Sequence, residues 1–183
     1  MRALLEAGPA LQLLALSVET RDHQVARAML RNEPPFQALR LRRLANVLAL
    51  QTTVAVVAFS SDLRCHASLE DLALWDAALN TAAAMGAVVD ACIALRVRKL
   101  WLSHCRVVPA VLPELARLVA ARALRELIVY NGGVTLFVED HESTRLFVAA
   151  VRVSAMTKLQ LYGLGTIPDN VVEAAAFINA RHQ

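Results

Sequence analysis

The chain has 183 residues, of which 57% are hydrophobic and 19% are charged, with a formal net charge of +3. The length fits one domain or a short array of repeats, and the composition predicts an ordered apolar core and excludes a disordered chain. Lysine and arginine are spread along the sequence without a basic tail, so nucleic acid is not expected as a partner.

Two long apolar stretches, 45–61 and 77–95, raise the question of membrane insertion. Asn46, Gln51 and Ser60 interrupt the first stretch and Asp90 interrupts the second, so both are interpreted as buried segments of a folded domain. The three cysteines are too few, and odd in number, for a disulfide framework. With no convincing secretory signal, they predict a cytoplasmic or nuclear protein with reduced thiols and no membrane partner.

The N-terminal part of the chain is less regular than the rest. We interpret residues 1–35 as an irregular N-terminal cap or a degenerate repeat, in which Leu11, Leu14 and Leu16 form a weak copy of the pattern described next. Residues 32–35 contain two prolines and an asparagine and predict a turn. Residues 54–59 fit either an extra strand or the beginning of a helix, and the sequence leaves both open.

A pattern Leu-x-x-Leu-x-Leu recurs along the remainder of the chain. Phe36, Leu39 and Leu41 give a first copy. The copies that follow begin 28, 27 and 32 positions apart, at Leu69, Val97, Leu124 and Met156. A repeat of this length predicts a solenoid in which each unit is one strand and a return segment, because a single unit cannot bury its own apolar face.

Helical spacing follows each clean copy of the pattern. Asn80 or Thr81 is predicted to cap the first return helix, and Pro109, Ser143 and Pro168 mark the beginnings of the next three. The helix that begins near Ser143 is predicted to bury an apolar stripe formed by Leu146, Ala149, Ala150 and Val153.

The segment 97–107, with the sequence VRKLWLSHCRV, resembles the strand-and-turn motif of the leucine-rich repeat family. The unit lengths and helical return segments are similar to the ribonuclease-inhibitor type, strongly over about 69–178 and moderately from 36. The resemblance implies an α/β fold over 1–183, a right-handed leucine-rich-repeat solenoid with about four to five repeats in 36–183. Parallel strands would line the concave face and helices the convex face.

One position departs from the family pattern. The family favours Asn or Cys at the ninth position, where the side chain bonds the turn between coils. This chain has Cys105 there in one unit, and the other units have Leu44, Ala77, Gly132 and Leu164. The buried turn amides of those units must therefore find other partners.

Side chains at the third, fifth and seventh positions point away from the leucines, because side chains alternate along a strand. Both tryptophans and both tyrosines of the chain fall on this predicted concave face: Trp75, Trp101, Tyr130 and Tyr162. Such residues are enriched in interfaces, which predicts a protein-binding surface. The alternative is that they pack against one another and support the sheet.

Charged residues occupy the same predicted face. The third position alternates in sign through Asp71, Lys99, Glu126 and Lys158. We favour a cross-strand charge ladder over a mixed-charge rim that selects a partner. Arg40 and Arg42, next to Arg43, form a cationic cluster that could attract an acidic partner segment or phosphate. We favour the alternative that it forms a solvated strand end.

The sequence as a whole predicts a non-enzymatic scaffold that binds a protein or peptide through the concave face. The alternative is a structural segment of a larger array that stacks end to end or forms a homo-oligomer through its ends. No catalytic, cofactor or metal site is predicted. The adjacent pairs Cys65–His66 and His104–Cys105 would face opposite sides of a strand, and no nucleophile motif is present.

Overall fold

The computed structural model describes residues 16–17, 28–31, 33, 41–47 and 50–181. Strands and helices alternate along this part of the chain. The strands are β1 (Leu16–Ser17), β2 (Arg43–Val47), β3 (Asp71–Trp75), β4 (Lys99–Ser103), β5 (Glu126–Tyr130) and β6 (Lys158–Tyr162). The helices are α1 (Thr53–Leu63), α2 (Ala82–Leu95), α3 (Leu112–Ala120), α4 (Glu142–Val153) and α5 (Asp169–Ala180).

The strands form one parallel sheet in chain order, from β1 to β6. Pairing between β3, β4, β5 and β6 is continuous, with Leu72, Leu100, Leu127 and Leu159 side by side. A parallel neighbour requires the chain to cross back between strands. The helices α1 to α4 make the four crossings from β2 to β6, and α5 follows β6. The predicted α/β fold with parallel strands alternating with helices is therefore confirmed.

The leucine pattern forms the core, as its spacing predicts. The first-position residues Leu69, Val97, Leu124 and Met156 are each at most 1% exposed. Consecutive helices contact one another and bury residues in the same cluster as the strand leucines, so the helices lie on one face of the sheet. Burial of each such side chain stabilises the fold by about 1.5–3 kcal/mol relative to its exposed state.

Strand β2 begins later than the sequence predicted. Leu44 pairs with Leu72, so Leu44 rather than Leu39 holds the fourth position of this unit. The predicted register was wrong because the segment 39–44 carries leucines that satisfy the pattern in more than one frame. The pairing also shifts between Leu44 and Val47, which a strict repeat does not anticipate.

This shift relocates the predicted cationic residues. Arg42 lies immediately before β2, and not at the seventh position of a strand on the sheet face as predicted. Arg43 takes the third position instead, opposite Asp71. Arg40 lies outside the described residues. The weak N-terminal copy is also displaced. Leu16 pairs with Leu44 and so takes the fourth position, which was predicted for Leu14, two residues earlier.

Helix beginnings agree with the sequence where a capping residue is present. The Thr81 hydroxyl accepts from the Ala84 N–H at 3.2 Å at the beginning of α2, which confirms one of the two predicted caps. The Thr52 hydroxyl accepts from the Ala55 N–H at 3.1 Å at the beginning of α1. Residues 54–59 therefore form the first turns of a helix, which resolves the ambiguity in favour of the helical alternative.

The predicted apolar stripe of α4 is wrong. Leu146 and Val153 are 49% and 81% exposed, and the inward face is formed by Phe147, Val148 and Val151. The segment 146–151 is apolar almost throughout, so its spacing allows two stripes. Phe147 selects the observed one, because its ring packs against Phe137 of the preceding loop with a centroid separation of 5.3 Å.

Candidate protein-binding face

The face of the sheet opposite the helices, called here the strand face, carries the four aromatic residues singled out in the sequence. Trp75, Trp101, Tyr130 and Tyr162 are 43%, 39%, 36% and 50% exposed. Each exposes a large apolar area, yet half or more of each side chain is covered by the sheet and its neighbours. Their placement agrees with the predicted register of β3 to β6.

His104 joins this group, although sequence reasoning did not assign it there. Its ring centroid lies 5.2 Å from that of Trp75 and 4.6 Å from that of Tyr130, the latter edge-on. The backbone of His104 has a φ of 53°, which turns the side chain back along the strand ends. We call Trp75, His104, Tyr130 and Tyr162 the aromatic row. The signal in the sequence was the position of His104 directly after a predicted strand. The sequence interpretation considered this residue only as a metal ligand.

Gly163 determines where the Tyr130 ring lies. A Cβ atom at Gly163 would be 2.7 Å from Tyr130 Cε2, so the ring rests directly against the glycine backbone. Gly163 also has a φ of 57°, a left-handed conformation that side chains with a Cβ adopt at a cost. The aromatic row is thus positioned by backbone geometry as well as by contacts between rings.

A small apolar recess lies between Trp75 and Trp101. Its volume is about 60 Å³, and Ala45, Ala73 and Ser103 contribute to its lining. That is about twice the volume a water molecule occupies in the liquid, so the recess accommodates a small apolar group. The alanines make the recess, since a larger side chain at either position would fill it.

Part of the strand face supports the sheet and is not free for a partner. Ile128 is 7% exposed and Ser103 is 5% exposed, although the register places both on this face. Ile128 lies in register between Trp101 and Gln160 on the neighbouring strands. Cross-strand packing and an exposed aromatic surface therefore coexist, and the two interpretations of the sequence are not exclusive.

Charged residues cluster at the amino ends of the same strands. Asp71, Lys99, Glu126 and Lys158 are neighbours in the predicted order. Lys99 Nζ lies 3.1 Å from Glu126 Oε2, and Arg42 Nη2 lies 3.0 Å from Glu70 Oε2. These side chains are partly exposed, so each pair contributes at most about 1 kcal/mol to stability.

The turn after the strands is held by residues that the ninth-position pattern only partly predicts. The Cys105 thiol lies 3.5 Å from the carbonyl oxygens of Leu74 and Ser103 and donates toward them. In the next unit Asn131, at the eighth position, bonds both backbone groups of Val107. The Ala77 carbonyl accepts from the Arg106 N–H at 3.1 Å. Neighbouring units therefore satisfy one another's turn amides.

The cysteines differ in their access to solvent. All three are free, and Cys65 is exposed while Cys92 and Cys105 are buried. Burial raises the pKa of the Cys92 thiol to about 12 and that of the Cys105 thiol to about 11. Both buried thiols therefore stay protonated at neutral pH, and the thiolate is the form that acts as nucleophile or metal ligand.

The expectation that each adjacent Cys–His pair lies on a strand is wrong, because Cys65 and His66 follow α1 and His104 and Cys105 follow β4. His66 is buried beside the exposed Cys65, and His104 is exposed beside the buried Cys105. Among the residues that the structure describes, no group of three or more His, Cys, Asp or Glu side chains is placed to hold one metal ion.

No helix within the described ranges is long and apolar enough to cross a membrane. Comparison of the sequence with protein-family models and with curated proteins found no match.

Proposed function

We propose that this protein is a non-enzymatic scaffold of the leucine-rich repeat type that binds a protein or peptide through the strand face. The observation that carries the proposal is that every tryptophan and tyrosine of the chain lies on this one face with 36% to 50% of its surface exposed. In the proposed solenoid this face is the concave side.

The aromatic row suits binding because its rings are already positioned. Contacts from His104 to Trp75 and Tyr130 restrict the rings before a partner arrives. Association then loses less side-chain entropy than it would with freely rotating groups. Tryptophan and tyrosine are also the residue types that most often dominate binding energy when a partner covers them.

The test compares capture of partners by the wild type and by a Trp75→Ala/Trp101→Ala variant. Crosslinked complexes are purified from cells, and the captured proteins are quantified by mass spectrometry. We expect about a tenfold or larger loss of specific partners, because truncating a hot-spot residue costs about 2 kcal/mol or more. The melting temperature should fall by less than truncation of two fully buried tryptophans would cause, since both side chains are already partly exposed.

The matched control is Val54→Ala/Val153→Ala. These valines are 78% and 81% exposed, and both lie on helices. The control variant should capture the same partners as the wild type. Unchanged capture by the tryptophan variant, or a large loss of its stability with normal capture, would overturn the proposal in favour of a sheet-supporting role.

The second candidate is an assembly function, in which copies associate through the end of the array. Val172 and Phe177 of α5 are 51% and 48% exposed, which leaves apolar surface at this end of the sheet. Light scattering coupled to size-exclusion chromatography over a range of concentrations tests this candidate. Concentration-dependent oligomers that disappear in Phe177→Ser would support it, whereas a monomer at all concentrations would exclude it.

A further inference from the structure

A second recess lies at the amino ends of the strands, away from the aromatic row. Its volume is about 440 Å³, and the residues that line it are all charged. Five are cationic (Arg42, Arg43, Arg98, Lys99 and Arg125) and three are anionic (Glu70, Asp71 and Glu126), which leaves a net charge of +2. We call this set the charged recess.

The three carboxylates do not neutralise all five cations. Glu126 is engaged by Lys99 at 3.1 Å and Glu70 by Arg42 at 3.0 Å. Arg98 reaches the same Glu70 oxygen only at 4.0 Å. Arg98 therefore shares the Glu70 carboxylate with Arg42 and is the more distant of the two.

Arg125 differs from the other four cations of the recess, each of which has a carboxylate within ion-pair distance. Its Nη1 donates to the Ala155 carbonyl at 2.7 Å, which fixes one side of the guanidinium. No carboxylate of the described residues lies within the 4.0 Å ion-pair distance of Arg125. Since the Ala155 bond uses one of five N–H donors, the group keeps donors for another acceptor.

Arg98 and Arg125 lie side by side. The Arg125 N–H donates to the Arg98 carbonyl at 2.7 Å, so the two residues hold the same position immediately before the adjacent strands β4 and β5. Adjacent strands are about 4.8 Å apart, and like charges directly opposite each other destabilise a sheet. An anion between the two guanidinium groups removes that repulsion.

We propose that Arg98 and Arg125 form a binding site for a phosphate monoester, carried by a phosphorylated side chain of the partner segment. A phosphate monoester has a charge of about −1.5 to −2 at neutral pH and three acceptor oxygens, which suits two forked guanidinium donors. The identification of the carrier as a peptide rests on the proposed function, whereas the anion site itself does not.

The carboxylates of the recess select among phosphate sources. Glu70, Asp71 and Glu126 lie beside the cations, so a nucleic acid or an anionic lipid surface would bring further negative charge against them. A single phosphate on a peptide avoids this repulsion. Ser103 lies four residue steps after Lys99 on β4, about 13 Å along the strand. A segment along the strands can thus place a phosphate in the charged recess and an apolar side chain between Trp75 and Trp101.

The test is an NMR titration of the full-length ¹⁵N-labelled protein with a phosphoserine pentapeptide that has alanine at the other positions. Peptides with serine or glutamate in place of phosphoserine are the matched ligands. We expect saturable shifts of the Arg98 and Arg125 Nε–H signals with a Kd of about 1 mM, and about tenfold weaker binding of the glutamate peptide. The serine peptide should not bind.

Arg98→Gln/Arg125→Gln should lower the affinity for the phosphopeptide about tenfold or more. Arg152→Gln, on the exposed part of α4, is the control and should leave it unchanged. Equal shifts at Arg152, equal binding of the glutamate peptide, or no saturation would overturn the inference. The titration needs no natural partner, so its failure leaves the proposed function standing, and failure of the tryptophan test leaves the anion site standing.

Discussion

The side-chain amide of Asn131 binds both backbone polar groups of Val107. Asn131 Nδ2 donates to the Val107 carbonyl at 2.7 Å, and Asn131 Oδ1 accepts from the Val107 N–H at 3.3 Å. Both residues are buried, so water does not compete for these bonds. Asn131 thereby joins two consecutive turns, which is the role that the repeat pattern would give to the ninth position.

Asn131→Ala should destabilise the protein by about 1–3 kcal/mol, because the buried Val107 carbonyl loses its side-chain donor and the Val107 N–H keeps only the Cys105 carbonyl. Urea unfolding followed by circular dichroism measures the change. Asn80→Ala, at an exposed position, is the matched control and should cost less than about 0.5 kcal/mol. Equal effects of the two substitutions would show that the Val107 bonds contribute little.

Gly163→Ala should destabilise the protein by about 1–2 kcal/mol and displace the Tyr130 ring. The first effect follows from the φ of 57°, and the second from the 2.7 Å approach of a new Cβ to Tyr130 Cε2. A double-mutant cycle with Tyr130→Ala, measured by thermal unfolding, separates the backbone cost from the clash with the ring. Removing the ring should relieve the steric part and leave the backbone part, so strict additivity of the two substitutions would contradict the contact.

Alkaline pH should destabilise the protein through Cys92. Burial raises the pKa of this thiol from its ordinary value of 9.0 to about 12. Because the folded-state pKa is the higher one, the stabilisation is complete below about pH 9 and is lost as the pH rises towards 12. In that window the free energy of unfolding should fall by about 1.4 kcal/mol per pH unit from this group.

The measurement is urea unfolding at several values between about pH 9 and pH 11. Cys92→Ala should remove the contribution of this thiol to the slope of unfolding free energy against pH, whatever the substitution does to stability at neutral pH. Cys65→Ala is the control, since that thiol is exposed and its removal should leave the slope unchanged. A Cys92→Ala slope equal to that of the wild type would contradict the prediction.

Asn179→Ala should loosen the outer edge of β6. Asn179 Nδ2 donates to the Leu159 carbonyl at 2.9 Å, and its Oδ1 accepts from the Leu159 N–H at 3.0 Å. No further strand of the described chain pairs with this edge, so the asparagine takes the place of one. Hydrogen exchange should accelerate about tenfold at the Leu159 amide, the equivalent of about 1.4 kcal/mol, while Leu100 in the sheet interior should be unaffected.

The sequence predicts the fold correctly where the leucine pattern can be aligned with the chain in one way only. From Leu69 onward a single leucine frame fits, and the register of β3 to β6 follows from it. Two places had competing frames: the leucines before β2 and the apolar run 146–151 of α4. Tertiary packing decided between those frames, through Leu44 in the first place and Phe147 in the second.

The candidate site was predictable in the same uneven way. Alternation along a strand was enough to place the four aromatic residues on one face, but it could not bring His104 to Trp75, because that contact depends on a left-handed turn. Arg98 and Arg125 stand at the second position, which the pattern assigned to neither face. Their proximity becomes visible only when adjacent strands are aligned.

The alternating charges at the third position make the number of units matter. The order along the sheet is Arg43, Asp71, Lys99, Glu126 and Lys158, positive and negative in turn. Loss of one internal unit would set two like charges on adjacent strands, whereas loss of two consecutive internal units would restore the alternation. Recombination that removes an odd number of internal units is therefore disfavoured, by at most about 1 kcal/mol for each like-charged pair, whereas removal of an even number carries no such charge penalty.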